Sequence, residues 1–153
     1  NVDDNNEVKI TSSSLLNNDI KYLPKFAADF NDINFFHSNR EQFSWLKYDF
    51  KDRKICPTHY SMKTTYDVNS SPRSWVFEVS NTGYENDWTI LDTQNETTIF
   101  MTKQPVSHTF DIQQSNNEYY RYIRIRTTGK NNNNKDFFSI SCVEFFGFIQ
   151  QPK

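Results

Sequence analysis

Four oxygen-bearing side chains lie close together in one segment of the chain: Asp29, Asn31, Asp32 and Asn34. Carboxylate and amide oxygens at such spacing are the ligands that a hard cation such as Ca²⁺ prefers in proteins. The segment therefore suggests a calcium-binding loop, with an ordinary hydrogen-bonded loop as the alternative.

The residue types most used in catalysis form no known constellation. The three histidines are separated by 22 and 49 residues, which excludes the closely spaced histidine pairs of zinc hydrolases. The three glycines are too far apart for a phosphate-binding loop, and no G-x-S-x-G nucleophile motif is present. Cys56 and Cys142 lie 86 residues apart and outside any C-x-x-C pair, so they predict no zinc-thiolate site. We predict no enzymatic activity and no cofactor.

Charge and hydropathy argue against nucleic-acid binding and against a membrane-spanning helix. The net charge of −2 gives no general attraction to phosphate backbones. Arg121, Arg124 and Arg126 lie on one predicted strand, where alternation places Arg121 on the opposite face from the other two. No apolar run reaches the 18 or so residues that would span a bilayer. The sequence therefore predicts no nucleic-acid partner and no membrane-spanning helix.

Alternating apolar residues predict a β-hairpin in the middle of the chain. From 75 to 80 every second residue is apolar, and Glu78 and Ser80 lie between them on the other face. Residues 81–83 supply the turn, and 88–91 resume the apolar pattern. Further strands are predicted at 8–13, 35–37, 43–50, 55–66, 108–112, 119–128 and 137–149.

The predicted elements amount to one domain spanning residues 1–153, with residues 1–7 frayed. Short strands separated by turn residues, with no convincing helix, predict an all-β sandwich. Aromatic residues make up 16% of the chain, so we expect a core built largely from rings. Trp75 alternates with core-facing residues and is predicted to pack there.

Four ordered segments carry a family resemblance. The segment 71–92, with PRSWV and EVSN, resembles the middle of discoidin domains, also called coagulation factor 5/8 type C domains. Three others agree in order and approximate spacing: FHS before SW at 36–45, YDF at 48–50 before Pro57 and Tyr60, and RYIRI before SCVEFFG at 121–147. The resemblance implies an eight-stranded antiparallel jelly-roll β-sandwich, galactose-binding-domain-like, that serves as a binding module.

The resemblance also bears on the metal and on the compartment. Related lectins carry a structural calcium after an Ala-x-Asp-Gly-Asn segment, completed by an acidic residue near the last strand. This chain lacks the glycine and has Cys142 where that acid would align, so we predict no bound metal. Secreted discoidin domains commonly join their termini by a disulfide, and the missing N-terminal cysteine favours an intracellular location.

In discoidin domains the variable loops at one end of the barrel bind the ligand. By resemblance these loops correspond here to 29–35, 67–72 and 129–136, and they are rich in hydrogen-bonding side chains. They carry few apolar residues, so membrane binding is not expected. The predicted ligand-binding residues are Asp32, Asn34, Phe35, Asp67, Asn69, Lys130 and Asn131.

Glu144 shares a predicted strand face with apolar residues of the last strand. A carboxylate buried among them is costly unless it is paired, so we expect an ion pair with Arg73 or Arg121.

Two functional hypotheses follow from the sequence. The first is a non-enzymatic module that binds a protein partner within a larger intracellular multidomain protein. The second is a carbohydrate-binding lectin-type domain whose partner is a glycan.

Overall fold

The computed structural model describes residues 7–28, 34–67, 70–102 and 105–152. Most of the segment predicted to be frayed, and the Asp29 to Asp32 part of the proposed calcium loop, lie outside them. Within the described residues the chain forms ten strands: β1 (Lys9–Ser12), β2 (Phe36–His37), β3 (Trp45–Asp49), β4 (Lys54–Lys63), β5 (Trp75–Ser80), β6 (Thr89–Gln94), β7 (Ser107–Asp111), β8 (Tyr122–Thr127), β9 (Ser139–Ile140) and β10 (Cys142–Gln150). Three 3₁₀ turns follow β1: Leu16–Asn18, Ile20–Tyr22 and Pro24–Ala27. None of the described helical turns has the length and apolar character needed to cross a membrane.

The strands form two main antiparallel sheets. The larger sheet has the order β1-β3-β8-β5-β6 and the smaller has the order β10-β4-β7, while β2 pairs with β9. This arrangement confirms the predicted all-β sandwich. The described residues contain ten strands where the resemblance implied eight, partly because the predicted strand 137–149 is divided at Ser141 into β9 and β10.

Aromatic rings fill the space between the sheets, as predicted. Trp75 and Tyr60 are fully buried, and the Tyr60 ring stacks between Phe77 and Phe110 with centroid distances of 4.7 and 5.1 Å. The Trp75 ring stacks on Phe100 at 5.9 Å. The prediction that Trp75 packs in the core is confirmed.

The three loops named by the resemblance leave the sandwich at one end. The last residue of β1 is opposite the start of β3, and the start of β3 is opposite the end of β8. In the other sheet, the end of β4 pairs with the starts of β10 and β7. The connections 13–35, 64–74 and 128–138 therefore meet above the same edge of the core.

Glu78 is buried although the alternating pattern of its strand places it on the outer face. All six residues of β5 are buried, including the outward-facing Glu78, of which 2% is exposed. β5 lies between β8 and β6, so its outer face is covered by neighbouring side chains. The buried carboxylate is paired with Arg124 at 2.7 Å and with Arg126 at 2.6 Å.

The expected ion pair of Glu144 is wrong. Glu144 is half-buried, and Arg121 pairs with Asp49 at 2.8 Å. The face that Glu144 shares with Phe146 and Phe148 is the outer surface of β10, where these rings are 43% and 63% exposed. A carboxylate on that face keeps its contact with water and needs no partner.

The pairing of β10 with β4 is irregular at Gly147. The register shifts between Phe146 and Gly147, so that Thr58 of β4 has no register partner and Gly147 lies opposite Pro57 with a φ of +156°. A Cβ atom at this position would lie 2.1 Å from the carbonyl oxygen of Cys56.

We expect Gly147→Ala to lower the free energy of unfolding by about 2 kcal/mol, because the backbone of β4 would have to move away. Urea denaturation measures the change. Gly129→Ala is the control, since the nearest atom to its Cβ would be the side chain of Ser74 at 3.2 Å. A Gly147→Ala protein as stable as wild type would contradict the close approach of the two strands.

Candidate functional site

A pocket opens at the end of the sandwich where the loops meet. Its volume is about 580 Å³, within the range of small-ligand sites in proteins. It is built from the connection after β1, from β2, from the loop after β4 and from β9. Its lining residues are Leu16, Tyr22, Phe35, His37, Thr65, Tyr66, Asp67, Ser70 and Ser139.

Aromatic rings form one wall of the pocket. The Tyr22 ring lies 5.5 Å from Phe35 and 5.4 Å from His37, measured between centroids. His37 stacks on Phe137 at 4.5 Å with an interplanar angle of 15°. Tyr66 lies across the pocket on the loop after β4 and is 64% exposed. The pocket therefore offers ring faces that remain accessible to a ligand.

His37 presents a defined hydrogen-bonding state to the pocket. Its Nδ1–H donates to the carbonyl oxygen of Ser38 at 2.6 Å, since that oxygen can only accept. Burial lowers the pKa of His37 below its ordinary value. The imidazole is therefore neutral at neutral pH, which makes Nε2 a hydrogen-bond acceptor.

Part of the pocket lining is polar, and hydrogen bonds fix the loop that follows β4. The hydroxyls of Thr65 and Ser70 lie 3.0 Å apart, and the Ser70 hydroxyl donates to the carbonyl of Asp67 at 2.9 Å. The backbone N–H of Asp67 in turn donates to the Thr65 hydroxyl at 3.2 Å. Ser139 is 1% exposed, and its hydroxyl has no hydrogen-bond partner among the described residues. These contacts hold the hydroxyls of Thr65 and Ser70 and the backbone of Asp67 in place at the pocket.

The pocket brings together two of the predicted ligand-binding residues. Phe35 and Asp67 come from connections that are distant in sequence, and both line it. Asn34 is partly exposed and immediately precedes Phe35. Asp32 and Asn69 lie outside the described residues.

Lys130 and Asn131 lie elsewhere in their loop. Lys130 pairs with Asp136 at 2.9 Å and lines a separate depression. Asn131 is 2% exposed, and its Oδ1 accepts from the backbone N–H groups of Asn133 and Lys135 at 3.0 and 3.1 Å. Asn131 is buried although its loop is rich in polar residues, because its amide oxygen replaces water as the partner of the loop backbone.

Sequence reasoning missed most of the pocket. Tyr22 belongs to a 3₁₀ turn inside a long connection, and His37 lies on a strand of two residues. Tyr66 lies just beyond β4, although it was assigned to the end of that strand. A long connection that carries aromatic residues is itself a functional signal, because such loops are packed or used for binding.

The described residues contain no group of three or more histidine, cysteine, aspartate or glutamate side chains that could hold a metal ion. Cys56 and Cys142 are both buried and neither is in a disulfide. Cys142 of β10 lies opposite Lys63 of β4. Lys63 is seven residues from Cys56 along β4, which places the two cysteines roughly 20 Å apart. A bond between them is excluded by this separation.

Comparison of the sequence with protein-family models and with curated proteins gives no match. The fold, in contrast, matches solved structures. CpGH89CBM32-5 from Clostridium perfringens, in complex with GalNAc-β-1,3-galactose, is 15% identical, with 93% of this chain and 96% of that chain covered and a TM-score of 0.71. CBM62 from Clostridium thermocellum Xyl5A is 19% identical, with 92% and 94% covered and a TM-score of 0.70.

A third solved structure belongs to the group named by the sequence resemblance. The F5/8 type C domain of a Bacteroides fragilis protein is 14% identical, with 97% of this chain and 94% of that chain covered and a TM-score of 0.70. At sequence identities this low, the similarity supports a common fold and nothing more specific. The chain therefore has the galactose-binding-domain-like fold that discoidin, or F5/8 type C, domains share with these carbohydrate-binding modules.

Proposed function

We propose that this protein is a non-catalytic carbohydrate-binding module and that the loop-end pocket holds the sugar. The observation that carries the proposal is a concave site lined both by aromatic rings and by hydroxyl and carboxylate groups. It lies at the loop end of the sandwich, in a fold whose examples include a structure with bound GalNAc-β-1,3-galactose.

The chemistry of the pocket suits a sugar ring. One face of a pyranose is apolar enough to stack on an aromatic ring, while its hydroxyls both donate and accept hydrogen bonds. Tyr22, Phe35 and Tyr66 supply the rings. The Nε2 of His37 accepts from a hydroxyl, and Asp67 supplies a carboxylate. Ring stacking and convergent polar groups together account for affinity and for orientation.

Of the two hypotheses from the sequence, the glycan partner has the better support. A pocket of this volume fits a small ring more readily than the broad surface of a folded protein, which usually meets a partner over about 800 Å². The structural similarities include several modules that bind carbohydrate, such as the family 32 module of AlyQ in complex with 4,5-unsaturated mannuronic acid. We assign the protein no catalytic role, because Asp67 is the one carboxylic acid among the described residues that line the pocket, whereas glycoside hydrolysis uses a pair.

Phe35→Ala is expected to weaken binding of the preferred sugar by roughly tenfold or more, because a stacked ring contributes about 1–3 kcal/mol. A glycan array with the wild-type protein identifies the sugar, and isothermal titration calorimetry then compares the variants. Tyr84→Ala is the control, since Tyr84 is an aromatic residue, 72% accessible, on the β5–β6 turn at the opposite end of the sandwich.

An unchanged thermal transition shows that Phe35→Ala is folded. The proposal fails if the wild-type protein binds no glycan on the array. It also fails if Phe35→Ala and Tyr84→Ala lower the affinity equally, because binding would then not depend on the loop-end pocket.

A further inference from the structure

A second groove, which we call the arginine groove, lies on the outer face of the five-stranded sheet. Its volume is about 520 Å³, and it shares no lining residue with the loop-end pocket. It is lined by Phe43, Trp45, Glu78, Glu85, Trp88, Ile90, Arg124 and Arg126.

Strand register explains why these residues meet. Arg124 of β8 lies opposite Lys47 of β3 on one side and opposite Glu78 of β5 on the other. Glu78 in turn lies opposite Ile90 of β6. In the neighbouring row Arg126 is opposite Trp45. Alternation thus places three cationic side chains on one face of the sheet, around a single buried carboxylate.

Glu78 leaves the two guanidinium groups with positive charge to spare. Its Oε2 accepts from Nε of Arg124 at 2.7 Å, and its Oε1 accepts from Nη2 of Arg126 at 2.6 Å. The second carboxylate, Glu85, is 88% exposed and reaches Nη1 of Arg124 at only 3.4 Å. An exposed contact of that length is weak and is easily replaced. With Lys47, three positive charges therefore face one well-paired negative charge.

Aromatic rings border these charges. The guanidinium carbon of Arg124 lies 4.2 Å from the centroid of Trp88 and 5.8 Å from that of Trp45. Phe43 is 54% exposed at the edge of the groove. The indole Nε1 of Trp88 is covered by protein but makes no hydrogen bond among the described residues. Ring faces thus lie beside two guanidinium groups, of which the Arg126 side chain is 26% exposed and the Arg124 side chain only 5%.

We propose that the arginine groove is a second binding site, specific for an acidic saccharide whose carboxylates pair with Arg124 and Arg126 while a sugar ring stacks on the aromatic border. Arginine is suited to this role, because its planar group forms paired hydrogen bonds with a carboxylate. Glu85 occupies the position of the ligand's carboxylate in the unliganded protein and must be displaced.

The groove continues past Phe43. This residue also lines the adjoining depression of about 200 Å³, which contains Lys130 in its ion pair with Asp136. A chain of several sugars laid along the sheet would therefore pass from the two arginines over Phe43 into this depression. The inference does not rest on the loop-end pocket, because the two sites have no residue in common.

The test uses the whole protein with two probes of equal length: the hexamer of galacturonic acid and its fully methyl-esterified form. Isothermal titration calorimetry at low ionic strength should show binding of the charged hexamer and at least tenfold weaker binding of the ester. Affinity for the charged hexamer should fall as salt is added, since the carboxylates of the hexamer and the partly exposed Arg126 are in contact with solvent ions.

Two variants assign the binding to the groove. Arg126→Gln should weaken binding of the charged hexamer by roughly tenfold, because a charge-assisted hydrogen bond is lost. Arg121→Gln is the control, since Arg121 immediately precedes the same strand but pairs with Asp49 outside the groove. Glu85→Gln should strengthen binding about twofold to fivefold, because it removes the competing carboxylate.

The gain expected for Glu85→Gln cannot arise from misfolding, so it remains informative even if Arg126→Gln unfolds. The proposal is overturned if the charged and esterified hexamers bind equally, or if neither binds. Equal effects of Arg126→Gln and Arg121→Gln would also overturn it, as would loss of hexamer binding in Phe35→Ala, which would place the ligand in the loop-end pocket instead. Failure here leaves the loop-end proposal standing, because that proposal is tested with the sugar found on the array.

Discussion

Glu78→Ala is expected to lower the free energy of unfolding by about 3–5 kcal/mol, the usual cost of removing one partner from a buried ion pair. Arg124 is 5% exposed at its side chain, so its charge would lose its carboxylate without gaining water. Arg126, which is 26% exposed at its side chain, can turn toward solvent and adds less. The expected loss is a large share of the free energy of unfolding of a typical domain, which is about 5–15 kcal/mol.

Urea denaturation at neutral pH measures this change. Glu78→Gln should cost less than Glu78→Ala, because its amide oxygen still accepts a hydrogen bond from Arg124. Glu85→Ala is the control, since the Glu85 carboxylate is 88% exposed and its removal should change stability by less than about 1 kcal/mol. A loss below 1 kcal/mol for Glu78→Ala would mean that the arginines reach solvent in the folded protein.

Tyr60→Phe should lower the free energy of unfolding whereas Tyr48→Phe should not, although both substitutions remove one buried hydroxyl. The Tyr60 hydroxyl donates to Asp92 at 2.6 Å and accepts from Nε1 of Trp75 at 3.0 Å. Its loss leaves a buried carboxylate and a buried indole N–H short of a partner, so we expect a cost of about 3 kcal/mol. The Tyr48 hydroxyl has no partner among the described residues, so Tyr48→Phe should be neutral or stabilising by about 1 kcal/mol.

Alkaline pH provides a second measurement on the same two residues. Burial raises the pKa of Tyr48, and burial together with the Asp92 carboxylate raises the pKa of Tyr60. A raised pKa in the folded state means that the stabilisation is complete below about pH 10 and is lost as pH rises further, since the unfolded chain releases its protons first. Each tyrosine should contribute about 1.4 kcal/mol of lost stability per pH unit above pH 10.

The free energy of unfolding measured from pH 8 to 11 should therefore fall less steeply in either Phe variant than in the wild type. Tyr84→Phe is the control, because Tyr84 is 72% exposed. Equal slopes for all four proteins would show that neither buried hydroxyl is kept protonated by the fold.

Much of the fold is predictable from local sequence. Strict alternation around Trp75 and around Ile123 identifies strands β5 and β8 and their core faces, because the side chains of a strand alternate between its two faces. The abundance of aromatic residues likewise predicts a core of rings, as found around Tyr60. The ordered discoidin-like segments add the sandwich architecture and the end at which the loops meet.

What the sequence alone left undecided depends on contacts between distant segments. Alternation shows that Glu78 faces outward from its strand, but only the pairing of β5 with β8 places two arginines over it and buries it. The loop-end pocket is likewise assembled from segments near residues 22, 37, 66 and 139, of which sequence reasoning identified Phe35 and Asp67. Local patterns determine which residues form strands and which side of each strand is apolar. Strand order and register, which join residues far apart in sequence, determine which polar and aromatic side chains share a site.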